Sequence, residues 1–166
     1  MSSTAAPTPD PFHGLSDPVR IFRLLLLSAQ QLRYVMDRRL AADSLTTQQA
    51  MLLSVLELLG GSATLGEVAE KLAMTHQNVK QLATSLAGKG LAEIEVDAND
   101  RRARRVRPTP QSRRLWKRRE RGDHRAIEEL MRDFSPEELA TLAELLTRLA
   151  LAADPVCRAL RAGAPP

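Results

Sequence analysis

The stretch that decides the fold is TLGEVAEKLAMTHQNVKQLATSLAGKGLAEIEVDANDRRARRVRPTP, Thr64 to Pro110. It opens on Thr64-Leu65-Gly66-Glu67, the spacing of a capping box. In that motif the Thr hydroxyl accepts the third amide of a helix, and the Glu carboxylate reaches back to the Thr amide. Leu65, Val68, Ala69 and Leu72 then fall on one helical face. The pattern stops near Ala73-Met74, and Thr75 is a second N-cap. Val79, Leu82, Ala83 and Leu86 give the next helix, residues 75–88, its buried stripe. Gly90 is placed to end that helix in a left-handed cap with Leu91 as the hydrophobic contact. Ala92 to Val96 alternates apolar and polar, the period of a half-buried strand. Asp97-Ala98-Asn99-Asp100 is turn chemistry. Arg101, Arg102, Arg104 and Arg105 follow, and Val106 lies in a return strand.

Two short capped helices, a hairpin and an arginine-rich tip make the order of a winged helix-turn-helix. The exposed face of the second helix carries His76, Gln77, Asn78, Lys80, Gln81, Thr84 and Ser85 beside the cap Thr75. Such a face is either ordinary solvated surface or a set of hydrogen-bonding groups for base edges, with one Lys for a phosphate. Its place after a second capped helix favours the latter. An arginine run is likewise either solvated or polyanion-binding. At a hairpin tip it suits a minor groove, where the negative potential is deepest.

These residues carry a resemblance. The chain resembles the MarR family of transcriptional regulators in Leu45-Thr46-Thr47-Gln48-Gln49, in Leu65 to Leu72, and in Val79-Lys80-Gln81-Leu82 through Lys89-Gly90-Leu91. The likeness continues in Asp97-Ala98-Asn99-Asp100-Arg101-Arg102 and in Pro108-Thr109-Pro110. Order and spacing agree over roughly residues 17 to 153. Ala50 and Ala98 depart from it, where an aromatic and a proline are usual.

The resemblance implies a mainly α fold with a small antiparallel β wing and long N- and C-terminal dimerisation helices. It implies a homodimer that binds double-stranded DNA at a pseudo-palindromic operator, by default as a repressor. Thr75, His76, Gln77, Asn78, Lys80, Gln81, Thr84 and Ser85 would form the reading helix. Asp100, Arg101, Arg102, Arg104 and Arg105 would form the wing contacts, with Asp100 orienting an arginine. A small-molecule effector is a further expectation, with Tyr34, Met51 and Trp116 either lining its pocket or packing as core and interface.

Charge distribution agrees with a polyanionic partner. Net charge is +4, but between Arg101 and Arg121 there are eleven Lys and Arg residues against one acid, Glu120. The 43% hydrophobic and 3% aromatic content suits a helical core.

Working outward, residues 1–15 read as a flexible arm and 16–44 as a dimerisation helix opened by Ser16-Asp17-Pro18. Val19, Phe22, Leu25, Leu26, Ala29, Leu32, Val35, Met36 and Leu40 give that helix more apolar surface than a small winged domain, residues 45–108, covers by itself. Thr46 with Gln49 forms another capping box, and Ser62-Ala63 is the expected first strand. Residues 109–154 read as two more dimerisation helices, the first to about Phe134 and the second from Ser135-Pro136-Glu137-Glu138. Asp154-Pro155 is expected to break or restart the last helix, and residues 155–166 form the tail.

No catalytic motif, cofactor loop or metal-ligand spacing occurs. His13, His76 and His124 stand far apart, so neither an enzyme nor a cofactor is expected. No signal peptide or membrane segment is legible, and the single cysteine, Cys157, forms no internal disulfide, which together fit a cytoplasmic protein. Two other functions remain open on the sequence. One is a winged helix used as a protein-interaction module without specific DNA binding. The other is an oxidant-sensing regulator acting through the Cys157 thiol, against which stands an incidental cysteine near the tail.

Overall fold

The computed structural model describes residues 10–98 and 100–161. Residues 1–9 of the expected arm, Asn99 in the wing turn and residues 162–166 of the expected tail lie outside them. The elements follow in the order α1 (Asp17–Leu40), α2 (Thr47–Leu58), β1 (Ala63–Thr64), α3 (Leu65–Lys71), α4 (His76–Gly88), β2 (Ala92–Val96), β3 (Arg104–Pro108), α5 (Pro110–Leu130) and α6 (Pro136–Arg161). The fold class is therefore the expected one, mostly helical with one three-stranded antiparallel sheet ordered β1-β3-β2. The chain divides into two units, residues 1–50 and 51–166, with the boundary inside α2.

In the first unit, residues 10–15 form a turn ahead of α1. The Asp10 carboxylate accepts the Phe12 amide at 2.8 Å and pairs with Arg20, while the Arg23 guanidinium lies 5.7 Å from the Phe12 ring centre. Ser16 is the N-cap of α1, but its hydroxyl accepts no capping bond. After α1 a single 3₁₀ turn, Ala41–Asp43, reverses the chain through Ser44 at φ +55. The Thr46 capping box forms, with Thr46 N donating to Gln49 Oε1 at 3.2 Å and Gln49 N to Thr46 Oγ1 at 3.3 Å. A tie that sequence spacing could not reveal joins α1 to α2. Asp37 Oδ1 accepts both the amide and the hydroxyl of Thr47, at 2.6 and 2.7 Å, and these bonds hold the Asp37 carboxyl below its ordinary pKa.

In the second unit the core is aliphatic. Leu52, Leu56, Val68, Val79, Ala83, Leu86 and Val106 are fully buried. The Thr64 box closes as read, with Glu67 N donating to Thr64 Oγ1 at 3.2 Å and Thr64 N to Glu67 Oε2 at 2.6 Å. Between α3 and α4 the turn passes through Ala73 at φ +54 and is closed by Met74 N donating to the Ala69 carbonyl at 3.0 Å. The first strand is one residue later than expected, Ala63–Thr64, pairing Ala63 with Val106 and Thr64 with Arg105. Helix α5 ends at Leu130, before Phe134.

The expectation of a break at Asp154-Pro155 is corrected, because α6 runs unbroken to Arg161 with Pro155 inside it. The physical reason is that proline removes one intrahelical bond without forbidding the helix. Ser135 caps this helix through Glu138 N to Ser135 Oγ at 3.2 Å. Among the described residues no helix is long and apolar enough to cross a membrane.

Two predictions concern the α3–α4 region. Ala73→Gly should stabilise the protein by about 0.5–1 kcal/mol, since relief of left-handed strain of about 1–2 kcal/mol exceeds the added unfolded-state entropy of about 0.4–1 kcal/mol. A urea midpoint lower than that of the parent would contradict it. The Thr64 amide and hydroxyl hold the Glu67 carboxyl below its ordinary pKa. A depressed carboxylate stabilises fully above its unfolded pKa and loses that stabilisation as pH falls through its folded pKa. In Glu67→Gln, stability should therefore fall less steeply across the acidic carboxylate range than in the parent. Parallel acid-denaturation curves would exclude it.

Candidate nucleic-acid interface

Helix α4 divides cleanly. Val79, Ala83 and Leu86 are buried. Thr75, His76, Gln77, Asn78, Lys80, Gln81, Thr84 and Ser85 are all exposed, as the sequence pattern implies. The Thr75 hydroxyl accepts the Asn78 amide at 3.2 Å, so the first turn is capped from within the same face. At the other end Gly90 takes φ +69, and Leu91 N donates to the Leu86 carbonyl at 2.9 Å.

The hairpin beside α4 has a fixed register. Glu93 faces Arg107, Ile94 faces Val106, Glu95 faces Arg105 and Val96 faces Arg104. Val106 and Ile94 therefore share the face that carries the core, and the charged pairs share the outer one. The turn at the tip is organised by Asp97, which is only 6% exposed. Its Oδ1 accepts the Asp100 amide at 3.1 Å, and its Oδ2 accepts Arg105 Nε at 2.8 Å. Asp97 N and Ala103 N close the loop onto the Ala103 and Asp100 carbonyls at 3.1 and 2.9 Å.

The five wing residues thus take different parts. Arg101 and Arg102 are exposed at the tip. Arg104 is exposed and donates Nη1 to the Arg101 and Ala103 carbonyls at 3.2 and 3.3 Å. Arg105 is half-buried and turned inward, donating to Asp97 and, through Nη1, to the Ser62 carbonyl at 3.2 Å. It braces the tip instead of extending from it. Asp100 accepts the Arg102 amide at 2.8 Å, and the carboxylate that pairs with a wing arginine is Asp97. Arg107 lies across from Glu93 and bonds both Glu93 and Glu95 at 2.8 Å. Those carboxylates raise its pKa and keep its charge paired within the hairpin.

The sequence pattern marks Asp97 only as part of a turn and Thr109 only as a helix cap, and neither residue's tertiary contacts follow from it. Thr109 is buried and does three things. Its amide donates to the Leu91 carbonyl at 3.1 Å, its hydroxyl donates to the Gly90 carbonyl at 2.7 Å, and the same oxygen accepts the Ser112 amide at 3.2 Å. The Thr-Pro cap was legible; the contact to the end of α4 was not.

Tyr34 and Met51 are exposed and Trp116 is half-buried. None of the three lines the cavity beside Phe134 and Leu142 on α6 or the one beside Met74 and Arg161. Cys157 is half-buried on α6. Among the described residues no group of His, Cys, Asp or Glu could hold a metal ion.

A sequence model of the MarR family matches residues 43–103, from the turn after α1 to the wing. That segment carries the sequence pattern of the MarR family, and its fold is a winged helix. Such a domain is the DNA-binding part of transcription regulators. The MarR likeness in fold extends well past the matched segment. A MarR protein from Peptoclostridium difficile superposes with TM-score 0.77 at 18% identity, covering 96% of this chain and 99% of its own. A mutant MarR from E. coli complexed with operator DNA superposes with TM-score 0.72 at 20% identity, covering 84% and 98%. The organohalide-sensing transcriptional regulator RdhR, in its 2,4-dichlorophenol-bound form, superposes with TM-score 0.69 at 19% identity, covering 90% and 89%. No curated protein matches the sequence.

The Asp97–Arg105 brace generates a prediction. Removing one partner of a buried pair costs about 3–5 kcal/mol, but Arg105 is 36% exposed and rehydrates, which lowers the figure to about 2 kcal/mol for Asp97→Ala. Asp97→Asn keeps an acceptor for the Asp100 amide and should lose about half of that. Urea midpoints rank the three proteins; equal midpoints would remove Asp97 from this role.

Proposed function

We propose that this protein is a homodimeric transcriptional repressor that reads a pseudo-palindromic operator and is released from it by a small-molecule effector. The observation that carries the reading is the face of α4. Its polar side chains are exposed from Thr75 to Ser85 while the opposite stripe is buried, and the hairpin beside it holds Arg101 and Arg102 out at its tip. Gln77, Asn78, Lys80 and Gln81 are the leading base-reading and phosphate-binding residues. Arg101, Arg102 and Arg104 serve the minor groove and its phosphates.

Dimerisation is supported by apolar surface left uncovered in one chain. On α1, Val19, Ile21, Phe22 and Leu26 are 43% to 62% exposed. On α6, Leu139, Leu142, Leu145, Leu146 and Leu149 are exposed as well. So much apolar surface on each of these helices points to a second copy. Two reading helices then stand about 34 Å apart, one duplex turn. Binding of DNA by the E. coli neighbour and of 2,4-dichlorophenol by RdhR supports the operator and effector parts. An effector must bind one spacing of the reading heads better than the other, or it shifts nothing. The same reading makes the protein cytoplasmic.

Selection of duplexes from a random pool at two salt concentrations tests the proposal. A pseudo-palindrome with half-sites about ten base pairs apart and a steep salt slope is expected. Recovery of no motif would favour a protein-interaction module. Arg102→Ala should weaken binding by about 1–3 kcal/mol, lower the salt slope by about one, and leave the dimer intact. Loss of the dimer in that variant would mean that the tip is not free for DNA.

A further inference from the structure

We infer that the outward face of α5 grips a second segment of double-stranded DNA, whatever its sequence, so that a protein seated on its operator also holds a neighbouring duplex. Ser112 and Leu115 are buried on α5, and Arg119 pairs with Asp123 at 3.0 Å with side chains 11% and 17% exposed. Residues 112, 115, 119 and 123 recur at helical spacing and so mark the inward face. Arg113, Arg114, Lys117, Arg118, Arg121 and Arg125 run along the rest of the helix, and all are exposed. From Arg113 to Arg125 the stripe is about 18 Å long, at about 1.5 Å per residue. A duplex carries one charge per about 1.7 Å of axis, so that length meets about ten phosphates. Like charges four residues apart destabilise a helix, and Arg113, Lys117, Arg121 and Arg125 repeat that spacing. A surface that works against its own helix in this way suits a partner that brings the missing negative charge.

The stripe stands apart from the surface assigned to the operator. Strand β3 runs from Arg104, beside the tip, to Pro108, which pairs with Ala92 at the base of the hairpin. Those two residues are about 13 Å apart, at about 3.3 Å per residue. Helix α5 therefore leaves the hairpin at the end away from Arg101 and Arg102. Arg113 Nη1 donates to the Pro108 carbonyl at 3.3 Å and pins the near end of the stripe to this base. The same end lies beside the exit of α4, where the Thr109 hydroxyl donates to the Gly90 carbonyl at 2.7 Å, whereas Gln77 and Asn78 lie in the first turn of α4. One duplex held by the tip and the start of α4 leaves the stripe for another.

The chemistry of the stripe selects the partner. A two-fold contact centred on it would set cations against cations, so a second copy of this chain does not cover it. Sites for single strands add aromatic side chains on which successive bases stack. On α5 the indole of Trp116 is half-buried, and one exposed ring, His124, remains. Duplex phosphates need cations alone, and contacts to them carry no sequence information. The bridge between two duplexes rests on the operator reading above; the grip of the stripe on a duplex does not.

Fluorescence anisotropy of a labelled, scrambled duplex tests the inference, with the full chain first saturated by its unlabelled, selected operator duplex. The scrambled duplex should bind this complex, and with about four phosphates engaged its affinity should fall about a hundredfold between about 50 and 200 mM salt. The triple variant Arg114→Gln, Lys117→Gln, Arg121→Gln should lower that salt slope by about three and bind the scrambled duplex at least tenfold more weakly. Its operator affinity should stay within about twofold of the parent's, and its thermal midpoint should not fall. No binding of the scrambled duplex, undiminished binding by the variant, or an equal loss at the operator would each overturn the second surface. So would a lowered midpoint, or tighter binding of a single strand of the same length. A protein that selects no operator would overturn the regulator reading instead. The scrambled duplex alone then decides the stripe, since the triple variant must lose more affinity than Arg101→Gln, Arg102→Gln.

Discussion

The position of α4 depends on one hydroxyl. Thr109 Oγ1 donates to the Gly90 carbonyl, at the end of α4, and accepts the Ser112 amide, at the start of α5. Its backbone amide reaches the Leu91 carbonyl. Three pieces of chain that must hold a fixed relation, the exit of α4, the end of β3 and the long helix α5, therefore meet at one buried residue. Gly90 takes part by lacking a side chain. At φ +69 it suits only glycine well, and a Cβ there would stand 3.0 Å from Gln111 Oε1. The end of α4 is thus specified by conformation and by space together.

The wing shows how an arginine run is sorted by what lies across from it. Sequence gives five nearly equivalent cations between Arg101 and Arg107. The sheet register sets Arg107 against Glu93, and the folded tip sets Arg105 against Asp97. A carboxylate at a register position and one in the tip turn pair with these two and turn them into bracing. Arg101 and Arg102, beyond the paired strands, are exposed to water. Charge at the tip is therefore a product of strand pairing as much as of composition.

The elements of the fold were legible wherever the signal is local. Capping boxes at Thr46, Thr64 and Ser135, the left-handed Gly90 and the strand of residues 92–96 all depend on neighbours within a few positions, and all appear in place, although Val96 is exposed where the alternation would bury it. What was not legible depends on distance along the chain. Asp37 meets Thr47, Arg105 meets Ser62, and Arg161 meets Glu70 through contacts that no spacing encodes. The face of α4 was readable because helical period alone separates Val79, Ala83 and Leu86 from the rest. The role of Arg105 was not, because a run of like residues carries no mark of which one turns inward. Pro155 misled for a different reason, since a proline's local cost is real but a helix anchored beyond it continues.

That same proline gives α6 a mechanical character. A helix passing through Pro155 lacks the amide that would bond the Leu151 carbonyl, so its rod has a soft joint nearly two turns from the end. The stretch before the joint is the leucine-rich length from Pro136, and the stretch after it is tethered to α3 through Arg161. Strain applied along the rod is therefore absorbed at the joint before it reaches the tether. The last turns of α6 can keep company with the winged unit while the leucine-rich length answers to whatever covers it.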